Sequence, residues 1–533
     1  MFSRRSPPFA NRPIAACSAT AVLCCGLWLA APLQAAQPVV KGPESVADWN
    51  RAGQVFIEAG KRLSPHNARA KNVILFVGDG MGISTVTAAR ILEGQLAGRP
   101  GEENRLSFEN MPYAALSKTY SWDQQTSDSA PTMTAMATGH KAREGMLSVD
   151  HLTPRGECSA EVNRAHALKT ILEYAAESGK STGIVTTARL THATPAALYA
   201  HIAYRDWEAD SNQPELSHGA PCRGAEGSVK DIARQLIEVS PTVRRSLKVA
   251  MGGGRMNFMP ASHDGVNAAD PEHPKGKGRR ADGRDLTAEW LTTRGAGAAF
   301  VWNRQQFDAL DTTRATHVLG LFEPSHMQYE ADRAKDGAGE PSLSEMTAKS
   351  LQLLQKDRKG YFLHVEAGRI DHAHHAGNAK RALLETIEFA RAVRYAMDHT
   401  DPKDTLIIVT ADHSHTLTIA GYPSRGNDIL GLVREVPATD GAPLAPSKDA
   451  NGLPFTTLGY ANGPGHRALG RPDLTRVDTA GLDFLQEAAV PLGSETHGGE
   501  DVAIYARGPK AHLVRGSMEQ NWIFHVMRDA FGF

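Results

Sequence analysis

Short apolar runs that stop at polar, ligand-type side chains recur along this chain, and that recurrence constrains the fold more than any other feature. The run at 73–77 leads into Gly78, Asp79 and Gly80, and the run at 183–185 into Thr186 and Thr187. The run at 361–365 leads into Glu366, and the run at 406–409 into Thr410, Ala411, Asp412 and His413. A further run, 502–505, follows Glu495, Thr496 and His497. Buried parallel strands read this way, because their carboxyl ends deliver the loops that carry chemistry. Between the runs lie helical repeats: Leu383, Ile387, Ala390, Val393 and Met397 fall at spacings of three and four, which buries one face under a sheet. The alternation predicts an α/β fold, a three-layer sandwich with a central mostly parallel sheet flanked by helices. Residues 263–285 and 421–493 are rich in Gly and Pro. The first reads as a surface excursion, the second as a loop-rich insertion in a single catalytic domain over 37–533.

With 41% apolar and 22% charged residues, the 533-residue chain can bury a sizeable core. Lys plus Arg (58) nearly cancels Asp plus Glu (59). No global field therefore recruits nucleic acid or an anionic membrane, and any anion specificity must be local. At the N-terminus, Arg4 and Arg5 precede an apolar stretch from about Ile14 to Ala31, and small residues follow Pro32. This predicts a signal peptide over 1–36, cut near Ala35 or Ala36, and an exported chain, periplasmic or extracellular, with no membrane span once mature. Ser3-Arg4-Arg5 and Ile14-Ala15-Ala16-Cys17 lack the surroundings of a twin-arginine start and of a lipid-attachment box. Removal of Cys17, Cys24 and Cys25 leaves Cys158 and Cys222, an even pair expected to bond in an oxidising compartment.

Asp79, Glu366, Asp371, Asp412 and His413 crowd three strand ends at a density that a core tolerates only when the charges are paired, and divalent metal is the simplest partner. Asp371 and His375 stand four apart and share one face of a helical turn, a spacing that suits zinc. Mixed Asp and His ligands with no thiolate suit a hydrolytic site. The segment 126–132 precedes a small-residue run through Ala135, Ala137 and Gly139 and reads as a helix start with Ser129 near its cap. A capping serine and a nucleophile both explain that motif. The metal-ligand array favours the nucleophile, because a serine hydroxyl on zinc ionises near neutral pH and needs no histidine base.

From about Asn72 to Pro509 the chain resembles the alkaline phosphatase family. The resemblance is carried, in order, by Val77-Gly78-Asp79-Gly80-Met81-Gly82, Asp128-Ser129-Ala130, His192 to Ala196, Val365 to His375, Thr410-Ala411-Asp412-His413 and Glu495-Thr496-His497. It implies hydrolysis of phosphate monoesters through a phosphoserine on Ser129. One Zn2+ would lie on Asp371, His375 and His497, and a second on Asp79, Asp412 and His413. A Mg2+ would take Asp79, Thr194 and Glu366, and Arg205 would clamp two phosphoryl oxygens. Two metals about 4 Å apart would then serve both the entering and the leaving oxygen of an in-line displacement.

His192 and His372 resemble the animal branch, in which they act either as direct ligands of the third metal or as hydrogen-bonded neighbours of its ligands. The same branch has a Ca2+ site similar to one that Glu272, the Phe322 carbonyl, Glu323 and Glu340 could build here, with oxygen ligands throughout. A homodimer is implied as well, with 421–493 as a crown-like insertion. A sulfatase or phosphodiesterase is the rival within the fold. The Ser129-Ala130-Pro131-Thr132-Met133 run lacks the arginine of the sulfatase motif, and Arg205 would crowd a second ester substituent. A non-catalytic exported phosphate- or metal-binding protein would have no use for a serine beside two complete ligand sets.

Overall fold

The computed structural model describes residues 45–533 apart from 263–265, 267, 268, 274, 441 and 443; the expected signal peptide, 1–36, lies outside them. Ten strands form one sheet. In chain order they are β1 (Asn72–Gly78), β2 (Tyr113–Lys118), β3 (Ser181–Arg189), β4 (Leu247–Gly253), β5 (Ala298–Val301), β6 (His317–Leu321), β7 (Tyr361–Ala367), β8 (Thr405–Ala411), β9 (Val502–Arg507) and β10 (Ser517–Glu519). Across the sheet they run β10-β2-β9-β8-β1-β7-β3-β4-β6-β5. Every neighbouring pair is parallel except the two made by β9, which opposes both β8 and β2. The run at 502–505 is thus the exception among the apolar runs. It enters the sheet from the rim that the others leave by, which is why its ligand-type residues precede it.

Central β1 is buried along its whole length, as a strand covered on both faces must be. Successive side chains point to opposite faces, and the core divides accordingly. Val73, Leu75 and Val77 join a cluster with Met133 and Met136 of helix Ser129–Thr138 and with Ile523, Phe524 and Met527 of helix Trp522–Phe531. Ile74 and Phe76 join the other, with Leu92 of helix Ile83–Leu96, Met346 of helix Leu343–Leu354 and Leu383, Ile387 and Ala390 of helix Ala379–Asp398. Helix, sheet and helix make the three layers read from the sequence.

Within 421–493, strand Leu458–Gly463 lies between Leu417–Ile419 and Ala488–Pro491 in a separate three-stranded sheet. Most described residues of the stretch 263–285 are exposed or half-buried, but two of its charged side chains anchor it to the body. Arg280 is 1% exposed, with its guanidinium on both oxygens of Asp231 (3.0 and 3.1 Å) and on Asp282. Arg255, fully buried, is ion-paired with Asp270. Charges that look solvated in sequence are here buried with partners, a pattern that composition does not distinguish.

No helix among the described residues is long and apolar enough to cross a membrane. Cys158 and Cys222, both buried, form the expected disulfide across a sequence separation of 64. A bridge over a loop of that length is worth about 2–4 kcal/mol. Replacing both cysteines by serine should lower the urea midpoint of unfolding accordingly, and reductant should shift the parent protein but not the double variant. Equal midpoints would mean that the bridge contributes no stability.

Candidate active site

The register of the parallel strands assembles the site. Gly78 at the end of β1 lies opposite Ala411 of β8 and Ala367 of β7, so Asp79 and Asp412 leave the sheet side by side. Glu366 pairs across to Val77 and Thr186. Gly80 turns the chain with φ +68, and its N–H donates to Asp412 Oδ1 at 3.0 Å. A Cβ at Gly80 would collide with the His415 ring, so glycine is required both for its conformation and for the close approach.

Ser129 is the first residue of helix Ser129–Thr138, and Asp128 is its cap, accepting from the Ala130 N–H at 3.3 Å. With capping assigned to Asp128, the Ser129 hydroxyl is left facing the site. Its Oγ lies 3.0 Å from His413 Nε2 and 3.5 Å from Asp79 Oδ1. His413 Nε2 is 3.4 Å from Asp79 and 3.2 Å from Asp412, and all three residues are fully buried. Beside this set, His375 Nε2 and His497 Nε2 both lie 3.3 Å from Asp371 Oδ1 and 3.2 Å from each other. Thr194 Oγ1 is 3.5 Å from Asp79 Oδ2, which makes Asp79 common to two groups.

Each of these imidazoles is oriented from behind. His375 Nδ1 donates to the Glu495 carbonyl at 2.5 Å, His497 Nδ1 to Ser127 at 2.7 Å and His413 Nδ1 to Ser414 at 3.2 Å. That fixes the Nε2 lone pairs toward the centre, as metal-ligating histidines require. Carboxylates gathered in one dry place raise one another. Burial, then Asp412, Asp371 and Glu366, push the Asp79 carboxyl well above its ordinary range. Burial and Asp412 carry Glu366 up to about 7 against the Thr186 hydroxyl that donates to it. Glu366 Oε1 is buried with no hydrogen-bond partner. Buried acceptors without donors and like charges without counter-ions are what a set of divalent cations would satisfy. The donor set therefore fits metals, with mixed imidazole and carboxylate ligands suited to zinc and oxygen ligands to magnesium.

Two contributors escape the sequence reading. His415 Nε2 bonds Asp371 Oδ1 at 2.8 Å while its Nδ1 meets Glu495 Oε2. Burial alone would depress this ring, but the two carboxylates hold it up at about 9. The sequence signal was the His413-Ser414-His415 doublet. A spacing of two on an extended segment puts both rings on one face, but spacing does not say what the second ring meets; the pairing of His415 with His497 across a short ladder brings it to Asp371. Asp128 is the other: besides capping, it is ion-paired with Arg205. Arg205 also places Nη2 2.9 Å from His192 Nε2.

The residues proposed for calcium are brought together in part. Glu323 and Glu340 are buried within one acidic pocket. Burial, with Asp336, lifts Glu323 to about 7, and Glu340 Oε2 has no partner. Glu272 Oε1 accepts from the Gly337 N–H at 2.7 Å, and the Phe322 carbonyl accepts from Arg255 Nη1 at 3.0 Å.

The sequence profile of the alkaline phosphatase family matches residues 70–533. The tissue-nonspecific alkaline phosphatase of Gallus gallus is 46% identical over 512 residues, covering 95% of this chain and 93% of that protein. The Homo sapiens isozyme is 45% identical over 496 residues, covering 92% and 89%. Among solved structures, the alkaline phosphatase of Thermus thermophilus has the same fold, with TM-score 0.60 at 24% identity over 89% of this chain and 94% of that one. An alkaline phosphatase from the Antarctic bacterium TAB5 does likewise, with TM-score 0.57 at 21% identity over 88% and 99%. The match spans nearly the whole chain and takes in the rim just described: this protein belongs to the alkaline phosphatase family, the enzymes that hydrolyse phosphate monoesters.

Proposed function

We propose that Ser129 is the nucleophile of this phosphomonoesterase and that three cations surround it. One Zn2+ is held by Asp371, His375 and His497, a second by Asp79, Asp412 and His413, and a Mg2+ by Asp79, Thr194 and Glu366. The observation that carries the reading is the Ser129 hydroxyl, freed from capping and 3.0 Å from His413 Nε2 in a buried rim of carboxylates. When bound, the metals polarise the serine hydroxyl and the phosphoryl oxygens and offset the buried negative charge.

Ser129 Oγ attacks phosphorus as the ester P–O bond breaks, releasing the alcohol and leaving a phosphoserine, which water then cleaves to phosphate and free Ser129. Arg205 binds two phosphoryl oxygens, its fork held in place by Asp128 on one side. The amides opening helix Ser129–Thr138 face the same charge. His192 and His372 adjust the third site from beside it. Glu272, the Phe322 carbonyl, Glu323 and Glu340 hold Ca2+.

Every contact in this scheme is to phosphate, so alcohol leaving groups of many kinds are accepted. Export to the periplasm or the extracellular space follows removal of residues 1–36, and the Cys158–Cys222 bridge supports it. The working form is a homodimer: helix Val46–Lys61 buries nothing within the chain and exposes Trp49 and Phe56, which supports its covering by a second copy.

An aryl phosphate should be turned over far faster than an aryl phosphodiester or an aryl sulfate, and chelator should abolish the activity; faster release from the diester or the sulfate would refute the assignment. Ser129→Ala should yield no acid-trapped phosphoenzyme, whereas label persisting in that variant would place the nucleophile elsewhere. Arg205→Ala should cost roughly 10²-fold in kcat/KM, the usual loss for one charge-stabilising donor, and should weaken inhibition by inorganic phosphate. Unchanged phosphate inhibition would remove Arg205 from the phosphoryl site.

A further inference from the structure

Asp371 and His375 stand on a weak element. Their helix, Arg369–His375, has seven residues, and Gly368 at its start supplies no side-chain cap. A helix this short is not stable by its own hydrogen bonds, so neighbouring segments must hold it. The insertion 421–493 supplies much of that hold. His374 is fully buried, with Nδ1 2.7 Å from the Tyr460 hydroxyl and Nε2 3.0 Å from Thr85 Oγ1. Tyr460 lies on strand Leu458–Gly463 of the insertion, and Thr85 on helix Ile83–Leu96. A hydroxyl donates or accepts as required, so one neutral imidazole satisfies both partners in either tautomer.

Just beyond the helix the insertion closes on the chain again. The Gln486 N–H donates to the Gly377 carbonyl at 3.0 Å, and Gln486 Oε1 accepts from the Ala379 N–H at 2.7 Å. Asn378 Nδ2 donates to the Leu482 carbonyl at 2.7 Å. Gln486 is buried, and a Cβ at Gly465 would collide with its carbonyl, so glycine is needed there for the close approach. Two routes lead from these contacts to the ligands. Along the backbone, His374 is next to His375 and three residues after Asp371. Through space, the His374 and His415 ring centroids are 4.8 Å apart, and His415 bonds Asp371 Oδ1.

Resting on the reading of Asp371, His375 and His497 as a zinc set, we propose that Tyr460 and Gln486 are positioning residues: through them the insertion holds Asp371 and His375 in ligand geometry. Tyr460 acts through His374, and Gln486 through the main chain of Gly377 and Ala379. Groups standing behind metal ligands are worth about 10- to 100-fold in metal affinity.

The test loads the full chain, its histidines labelled with 15N, with 113Cd2+ and records the cadmium resonances. Coupling to two imidazoles identifies the Asp371, His375 and His497 set, and coupling to one identifies the Asp79, Asp412 and His413 set. Tyr460→Phe deletes only the hydroxyl and keeps the ring that packs edge-on to His374. It should move the two-imidazole resonance and leave the one-imidazole resonance in place. From the zinc-loaded chain, chelator should strip one zinc about tenfold faster in Tyr460→Phe and in Gln486→Leu than in the parent, the other leaving at the parent rate. An unmoved two-imidazole resonance, equal movement of both resonances, or parent-like zinc release from either variant would overturn the proposal. If Tyr460→Phe does not fold, Gln486→Leu decides by the same two readouts. A parent spectrum with no two-imidazole resonance would instead remove the zinc assignment itself, and the proposal with it.

Discussion

Mutual repulsion among Asp79, Glu366, Asp371 and Asp412, all buried at one rim of the sheet, is the interaction to which the rest of the site responds. Water cannot screen these charges, and moving several carboxylates into a dry interior costs more than any local packing returns. The molecule compensates unevenly. Burial alone would raise Asp371, yet the neighbouring His375, His415 and His497 hold its carboxyl well below the usual range. Asp79 and Glu366 have no comparable cationic neighbour and are pushed upward. That imbalance marks where divalent charge is needed, and it coincides with the two groups that share Asp79.

The scaffold supplies rigidity where the charge demands it. Adjacent parallel strands end in register, so that side chains distant in sequence leave the sheet close to one another. Behind the imidazoles, main-chain carbonyls of Ser127, Ser414 and Glu495 fix ring orientation without adding a charge. The capping of helix Ser129–Thr138 by Asp128 belongs to the same economy: one carboxylate satisfies a helix amide and braces Arg205, leaving the adjacent hydroxyl free for chemistry.

Away from the rim, buried ion pairs tie an irregular segment to the body. Arg280 with Asp231 and Asp282, and Arg255 with Asp270, anchor the stretch that precedes helix Leu286–Arg294. The same stretch brings Asp270 and His273 to Glu323 in the acidic pocket.

The strands carrying Asp79, Glu366 and Asp412, the helix opening at Ser129 and the Asp371–His375 turn were legible in sequence, because apolar periodicity and short ligand spacings are local properties. The pairing of Cys158 with Cys222 was legible too, by count. Residues whose roles depend on partners far along the chain were not. His415 reaches Asp371 only through a ladder with His497, and Asp128 meets Arg205 across 77 residues. The burial of Arg280 inside a stretch read as a surface excursion was not legible, because composition records charge and not its partner. The sequence determined which groups stand at the ends of strands, since backbone sterics and hydrophobic burial act over a few residues. The tertiary structure decided which of those groups share one low-dielectric pocket, since strand order and register are set by packing across the whole sheet.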